Sequence, residues 1–186
     1  MAKKVLRKGK REWFNLIAPD VFKNKVLGEI LSYTSKELLG RCIELSYSTI
    51  TDNPRDRSKN FVVKITNVTE SKATTTPVKI IYSLGTVIRI LKRNKTNDLI
   101  TLKAESKDKK KVTFKLYIIS SKMVTRGVRT NLMRKIVDVI TSKVAKLDAE
   151  QLFEPNYIEN LGMDLKSQVK TIYPINGIAF WQVEVV

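Results

Sequence analysis

From Lys111 to Ser120 the apolar side chains Val112, Phe114, Leu116 and Ile118 fall on every second residue, and Thr113, Lys115 and Tyr117 lie between them. A period of two is the repeat of a strand, because successive side chains point to opposite faces, so this stretch requires a sheet with one buried face. A second run, Leu99 to Glu105, precedes it across Ser106-Lys107-Asp108-Lys109-Lys110, a charged loop with no apolar residue. The two runs read as a hairpin with Lys107, Lys109, Lys110 and Lys111 at its tip. The alternation also occurs earlier, at Ile43, Leu45 and Tyr47 within Arg41 to Ser48 and again at Phe61, Val63 and Ile65. Between those runs Thr51-Asp52-Asn53-Pro54-Arg55-Asp56-Arg57 is a turn by composition, since Asn, Asp and Pro favour fixed or non-extended backbone.

Helical spacing appears elsewhere. Across Thr125 to Lys146, Val128, Leu132, Met133, Ile136, Val137, Ile140 and Val144 recur at three- and four-residue steps and form one apolar stripe. Leu84 to Asn94 reads as a short basic helix carrying Arg89, Lys92 and Arg93. After Asp148, a candidate N-cap, come a short helix ended by Pro155, a second stripe at Leu165, Val169 and Ile172, and a final strand from Ile178 to Val186. These elements define an α+β class: a mostly antiparallel, barrel-like β-sheet flanked by helices, with an extended basic N-terminal arm. Residues 1–22 read as the arm and its anchor, and residues 23–186 as a single α+β domain without internal repeat or long linker. With 186 residues and 42% hydrophobic content, one true core can be built.

Composition removes several chemistries. There is no histidine and a single cysteine, Cys42, so a catalytic triad, a zinc finger, a Cys-X-X-Cys couple and an internal disulfide are all excluded. Beside Ile43, Cys42 fits a small core residue in a reducing compartment. No apolar stretch is long enough for a signal peptide or a membrane span. No metal, cofactor, small-molecule substrate or membrane partner is implied, and the chain reads as an intracellular protein that is not an enzyme.

What remains is charge. Thirty-five Lys and Arg oppose eighteen Asp and Glu, a net +17, and the excess is uneven: residues 1–146 hold +21 and residues 147–186 take back four. Such asymmetry points to a docking surface for a polyanion. Lys3, Lys4, Arg7, Lys8, Lys10 and Arg11 crowd nine residues directly before Trp13-Phe14. Phosphate neutralisation and ring stacking are the two terms that bind nucleic acid, and at least one ring of the pair also suits an anchor in the core. On the 125–146 helix the wet side offers Arg126, Arg129, Arg134, Lys135 and Lys143 against Asp138 alone, forgoing the opposite-charge pairs that helices usually exploit. Lys122 leads into it. Three alternatives stand beside RNA binding without catalysis: a metal-dependent nuclease using Asp52 with Asp56 or Glu150 with Glu154, DNA binding through the same helix, and general polyanion binding.

Three stretches resemble the archaeal and eukaryotic small-subunit ribosomal protein family eS-one (S-three-A-e). They are Lys10-Arg11-Glu12-Trp13-Phe14-Asn15-Leu16-Ile17-Ala18-Pro19-Asp20-Val21-Phe22, the basic run from Lys122 through Arg126, Arg129, Arg134 and Lys135, and Thr171-Ile172-Tyr173-Pro174. The long basic extensions of eukaryotic members are absent, which is the archaeal type, and Gly85-Thr86-Val87-Ile88-Arg89 departs from the family's pattern. The resemblance implies a barrel-like sheet with flanking helices and a ribosome-bound, cytoplasmic protein. It also implies binding to small-subunit rRNA near its 3′ end on the platform, beside the mRNA exit channel and among other platform proteins. The RNA-binding candidates are then Lys3, Lys4, Arg7, Lys8, Lys10, Arg11, Trp13, Arg89, Lys92, Arg93, Lys122, Arg126, Arg129, Arg134 and Lys135.

Overall fold

A computed structural model describes residues 10–22, 24–91, 96–154 and 156–185. In chain order its strands and helices are β1 (Glu12–Ile17), β2 (Val26–Ser32), α1 (Ser35–Leu38), β3 (Cys42–Ser46), α2 (Tyr47–Thr51), β4 (Lys59–Thr69), β5 (Lys72–Tyr82) and α3 (Leu84–Ile90). The second half adds β6 (Asn97–Glu105), β7 (Lys111–Ser120), α4 (Arg126–Val144), α5 (Tyr157–Val169) and β8 (Ile175–Val185), with 3₁₀ turns at Asp20–Phe22, Pro54–Ser58 and Gln151–Phe153.

The predicted hairpin is present: β6 and β7 pair antiparallel from Asn97 opposite Ile119 to Glu105 opposite Lys111. Burial along β6 alternates at every residue, with Asp98, Ile100, Leu102 and Ala104 inward and Asn97, Leu99, Thr101, Lys103 and Glu105 outward. β3 and β4 pair antiparallel as expected. All pairings are antiparallel except that of β1 with β5.

The expected barrel-like sheet is instead an open one, and β5 is the reason. One edge of β5 pairs with β4 along its length. The other edge is divided: residues 72–74 pair with β1 and residues 79–81 with β8. A strand with three neighbours branches the sheet into two wings, β1–β2 and β8–β7–β6, so the strands do not run round into a ring. Each of β2, β3 and β6 has one partner among the described residues. The β1–β2 pair bends at a register shift between Leu16 and Ile17, opposite Gly28, whose φ of +154° an L side chain rarely adopts.

One apolar core spans both wings. At its centre the buried ring of Phe61 meets Phe22, Tyr47 and Phe153 edge-on, with centroids 5.4, 5.7 and 5.8 Å away. The Tyr47 hydroxyl donates to the Phe153 carbonyl at 3.0 Å, tying α2 to the turn before α5. α4 buries Leu132, Ile136, Ile140 and Val144 of its predicted stripe; α5 buries Leu165 and Val169 as predicted together with Ile158 and Leu161, whereas Ile172, the third residue of the predicted second stripe, lies beyond the helix end and is exposed.

Four local expectations change. The predicted strand 41–48 ends at Ser46, and Tyr47 opens α2, where its ring reaches Phe61. Cys42 is exposed, because alternation on β3 turns Ile43 and Leu45 inward and leaves Cys42 and Glu44 outward. The helix from Leu84 closes at Ile90, and Lys92 and Arg93 lie outside the described residues, as does Pro155. Asp148 does not cap a helix with its side chain; its backbone carbonyl accepts from Gln151 N, opening a 3₁₀ turn.

Candidate nucleic-acid interface

Which cations are free decides what this protein can hold. On α4, Arg126, Arg134 and Lys135 are exposed and have no acidic partner among the described residues. Arg126 stands in the first turn, where the helix dipole repels a cation and no acidic residue compensates. Its position works against helix stability, as a residue kept for an outside anion would.

Arg129 behaves differently. Its Nε donates to Asp98 Oδ2 at 3.0 Å and its Nη2 to Asp98 Oδ1, so the guanidinium grips both oxygens of a carboxylate on β6 whose side chain is 3% exposed. A fork that fits a carboxylate in two places also fits phosphate, but here it fastens α4 to the sheet. Lys143 is likewise engaged, 2.6 Å from Asp164, and links α4 to α5.

At the other end of the sheet Lys10 and Arg11 are exposed ahead of β1. Lys3, Lys4, Arg7 and Lys8 lie outside the described residues. The Trp13-Phe14 pair splits because adjacent strand residues face opposite ways: Phe14 is buried in the core while Trp13 is 62% exposed. The Arg11 guanidinium carbon sits 4.9 Å from the centroid of the Tyr33 ring. Lys122 is exposed in the loop before α4, and Arg89 is exposed in the last turn of α3. β1 and β8 share one edge of β5, at residues 72–74 and 79–81, so β1 stands about 23 Å along β5 from the wing that ends in β6, the strand under α4, and the structure presents two cationic patches rather than one.

The acidic segment neutralises its own molecule. Asp148 lies 3.9 Å from Lys107 and Glu150 lies 4.0 Å from Lys110, against the predicted hairpin tip. Of the other candidate carboxylates, Asp52 pairs with Lys25 at 2.5 Å and Asp56 with Lys59 at 2.7 Å and with the Thr51 hydroxyl at 2.8 Å, while Glu154 is exposed. No group of three or more His, Cys, Asp or Glu able to hold a metal forms among the described residues.

The least anticipated group is Lys59. Its side chain is 8% exposed, and its Nζ donates to Asp56 Oδ1 and to Glu159 Oε1, both at 2.7 Å, between the rings of Tyr47 and Tyr82 at 5.6 and 5.8 Å. Burial alone would pull its pKa down. The hydrogen bonds to Asp56 and Glu159 outweigh that and hold it above the ordinary lysine value. Burial drives the Tyr47 and Tyr82 hydroxyls well above the usual tyrosine range. A signal did exist in the sequence, for Lys59 shares its parity with Phe61, Val63 and Ile65 and so had to point inward.

The whole chain, residues 2–186, matches the family model described as the Ribosomal S3Ae family. The chain belongs to the Ribosomal S3Ae family. Among relatives, a protein of Nanoarchaeum equitans is 27% identical over 87% of this chain and 82% of its own length. One of Picrophilus torridus is 22% identical over 94% and 84%, and one of Methanothrix thermoacetophila 23% identical over 100% and 90%. Each of the three carries the name small ribosomal subunit protein eS1, and this Ribosomal S3Ae member is of their archaeal type.

Proposed function

We propose that this chain is a structural, non-enzymatic constituent of the small ribosomal subunit, bound to rRNA through Lys10, Arg11 and Trp13 at β1 and through Arg126, Arg134 and Lys135 on α4. Lys122, in the loop before α4, adds to the second patch, Arg89 on α3 is a further exposed cation, and the basic residues Lys3, Lys4, Arg7, Lys8, Lys92 and Arg93 add to the count by sequence. Arg129 contributes chiefly by holding α4 in place. The observation that carries this reading is a helix face bearing Arg126, Arg134 and Lys135 without acidic partners among the described residues, in a chain that matches a ribosomal family over residues 2–186.

No catalysis is needed for this role. Two cationic patches more than about 20 Å apart suit a folded RNA that presents phosphates at separate places, and recognition is then of RNA shape rather than of base edges in a groove. With roughly ten phosphates engaged, the log–log salt slope of binding is about −7 to −9. The family resemblance supports a position on the platform, close to the 3′ end of the rRNA and the mRNA exit, among other platform proteins, in a cytoplasmic ribosome.

The test is sucrose-gradient sedimentation of native extract, with a wash at several hundred millimolar salt and ultraviolet crosslinking of the retained RNA. Retention on the small subunit with crosslinks near the rRNA 3′ end is the expected result. Sedimentation free of the subunit, or release with mixed RNA, overturns the reading.

A further inference from the structure

The sheet face turned away from α4 and α5 bears a group of residues that the patches above leave out. On β7, Lys115 and Tyr117 point to this face, opposite Thr101 and Leu99 of β6. On β8 the register shifts between Lys115 and Leu116, and Trp181 falls in the resulting bulge, on the same side. The Trp181 ring centre stands 6.4 Å from that of Tyr117 with the planes at 40°, and the Lys115 Nζ lies 5.4 Å from the Trp181 centroid. Leu99 beside them is 46% exposed, and Lys103 and Lys111 are exposed on the same face. Lys79 of β5 extends the row, opposite Glu184.

We propose that this face binds a single-stranded segment of RNA. Trp181 and Tyr117 stack on unpaired bases, and Lys115 and Lys103 meet the phosphates that join them. The proposal rests on the rRNA-binding reading above and names the form of RNA that this face takes. Three features favour RNA over a protein partner. Aromatic rings that alternate with ammonium groups depart from the charge-depleted centre of a protein interface. Lys115 and Tyr117 are two residues apart on one strand, about 7 Å, so one ring can meet a base while the adjacent ammonium meets its phosphate. Unpaired bases offer a π-face to a flat sheet, whereas a duplex hides its bases in the stack. Trp13 stands on this same face beyond the far end of β5, about 40 Å along the strand, and offers a second ring to a longer segment.

The experiment uses the full chain and a fluorescently labelled uridine dodecamer, with a duplex RNA of equal length as competitor. Trp181→Leu and Tyr117→Leu each weaken dodecamer binding by about 5- to 150-fold, the range for loss of one stacked base, and Trp181→Phe recovers most of the loss. Lys115→Gln lowers the log–log salt slope by about 0.7, one single-strand phosphate. Trp181 and Trp13 are the chain's two tryptophans, so in Trp13→Phe the dodecamer quenches the emission of Trp181 itself. This reading stands even if Trp181→Leu fails to fold. Saturated binding without quenching overturns the proposal, as does unchanged affinity in a folded Trp181→Leu. So does a Trp181→Leu chain that loses a protein neighbour from the subunit but keeps its dodecamer affinity. Retention on the small subunit without dodecamer binding refutes this site alone, whereas quenching by a chain that sediments free refutes the ribosomal reading alone.

Discussion

Arg129→Ala separates a structural arginine from an RNA-facing one on the same helix. In the native protein both oxygens of Asp98 are held by Arg129, and the Asp98 side chain is 3% exposed. Removing the guanidinium strands a buried carboxylate, which costs about 3–5 kcal/mol in buried pairs. The Arg129 side chain is itself 43% exposed, so water reaches the vacated space and the loss falls to about 2–3 kcal/mol. At about 2–4 °C per kcal/mol for a chain of this size, the melting temperature drops by about 4–12 °C. Arg126→Ala on the same helix removes no acidic partner and changes stability by less than about 0.5 kcal/mol, while weakening rRNA retention. Combining Arg129→Ala with Asp98→Asn restores part of the stability, because the buried charge is gone, and a double-mutant cycle over the two positions yields a coupling to Asp98 that Arg126 does not show. Thermal denaturation followed by circular dichroism measures the four members of the cycle and Arg126→Ala. If Arg129→Ala melts within a degree of the parent, or no differently from Arg126→Ala, Arg129 is not a fastener and the division of the α4 cations into two roles fails.

Lys59→Met strands Asp56, whose side chain is 10% exposed, and lowers stability by about 3 kcal/mol in guanidinium denaturation, with recovery on adding Asp56→Asn. The Lys59 pKa is raised in the folded protein, so its contribution is full below the ordinary lysine value near 10.4 and is lost as pH climbs through the raised one. The raised Tyr47 and Tyr82 act in the same direction, since the unfolded chain releases those protons first. The denaturation midpoint therefore falls on moving from pH 10 to 12, and a rise over that interval contradicts the assignment. Phe61→Ala empties the centre of the aromatic cluster and costs about 3–5 kcal/mol by the same assay; a cost below 1 kcal/mol would mean the cluster is not packed as described. Cys42 reacts fully with a thiol reagent without denaturant, and protection until unfolding would contradict its place on the outer face of β3.

The hairpin of β6 and β7 was legible because each strand alternates without a break, and α4 because its stripe persists over nineteen residues. β5 was not. Its Lys72-Ala-Thr-Thr-Thr-Pro-Val-Lys start has little apolar alternation, and Pro77 argues against a central strand. Pro77 is tolerated because it lies next to a register shift against β4, in the stretch of β5's other edge between the β1 and β8 pairings. β1 was masked by its neighbours, since a dense cation run before an aromatic pair reads as a binding segment whether or not it is also a strand. At the site, the exposed Arg126, Arg134 and Lys135 follow from helical periodicity alone. The capture of Arg129 by Asp98 joins positions 31 residues apart, and no local pattern contains it. Charge counted by segment does not show where the acids fall: Asp148, Glu150 and Asp164 face the molecule's own lysines.

β8 attaches the β7–β6 hairpin to β5 and so to the other wing, pairing with β5 along one edge and with β7 along the other. In the order of synthesis β5 and β7 exist long before β8, so residues 79–81 and most of β7 present bare peptide edges while α4 and α5 are still being made. Uniting the wings is a late, long-range zippering step, the slow kind in which half-built sheets recruit strands from other chains. The lysines along the waiting strand, Lys111 and Lys115, and Lys79 on β5 act during that interval as gatekeepers. The same cations that suit a polyanion in the finished molecule keep its unfinished copies apart.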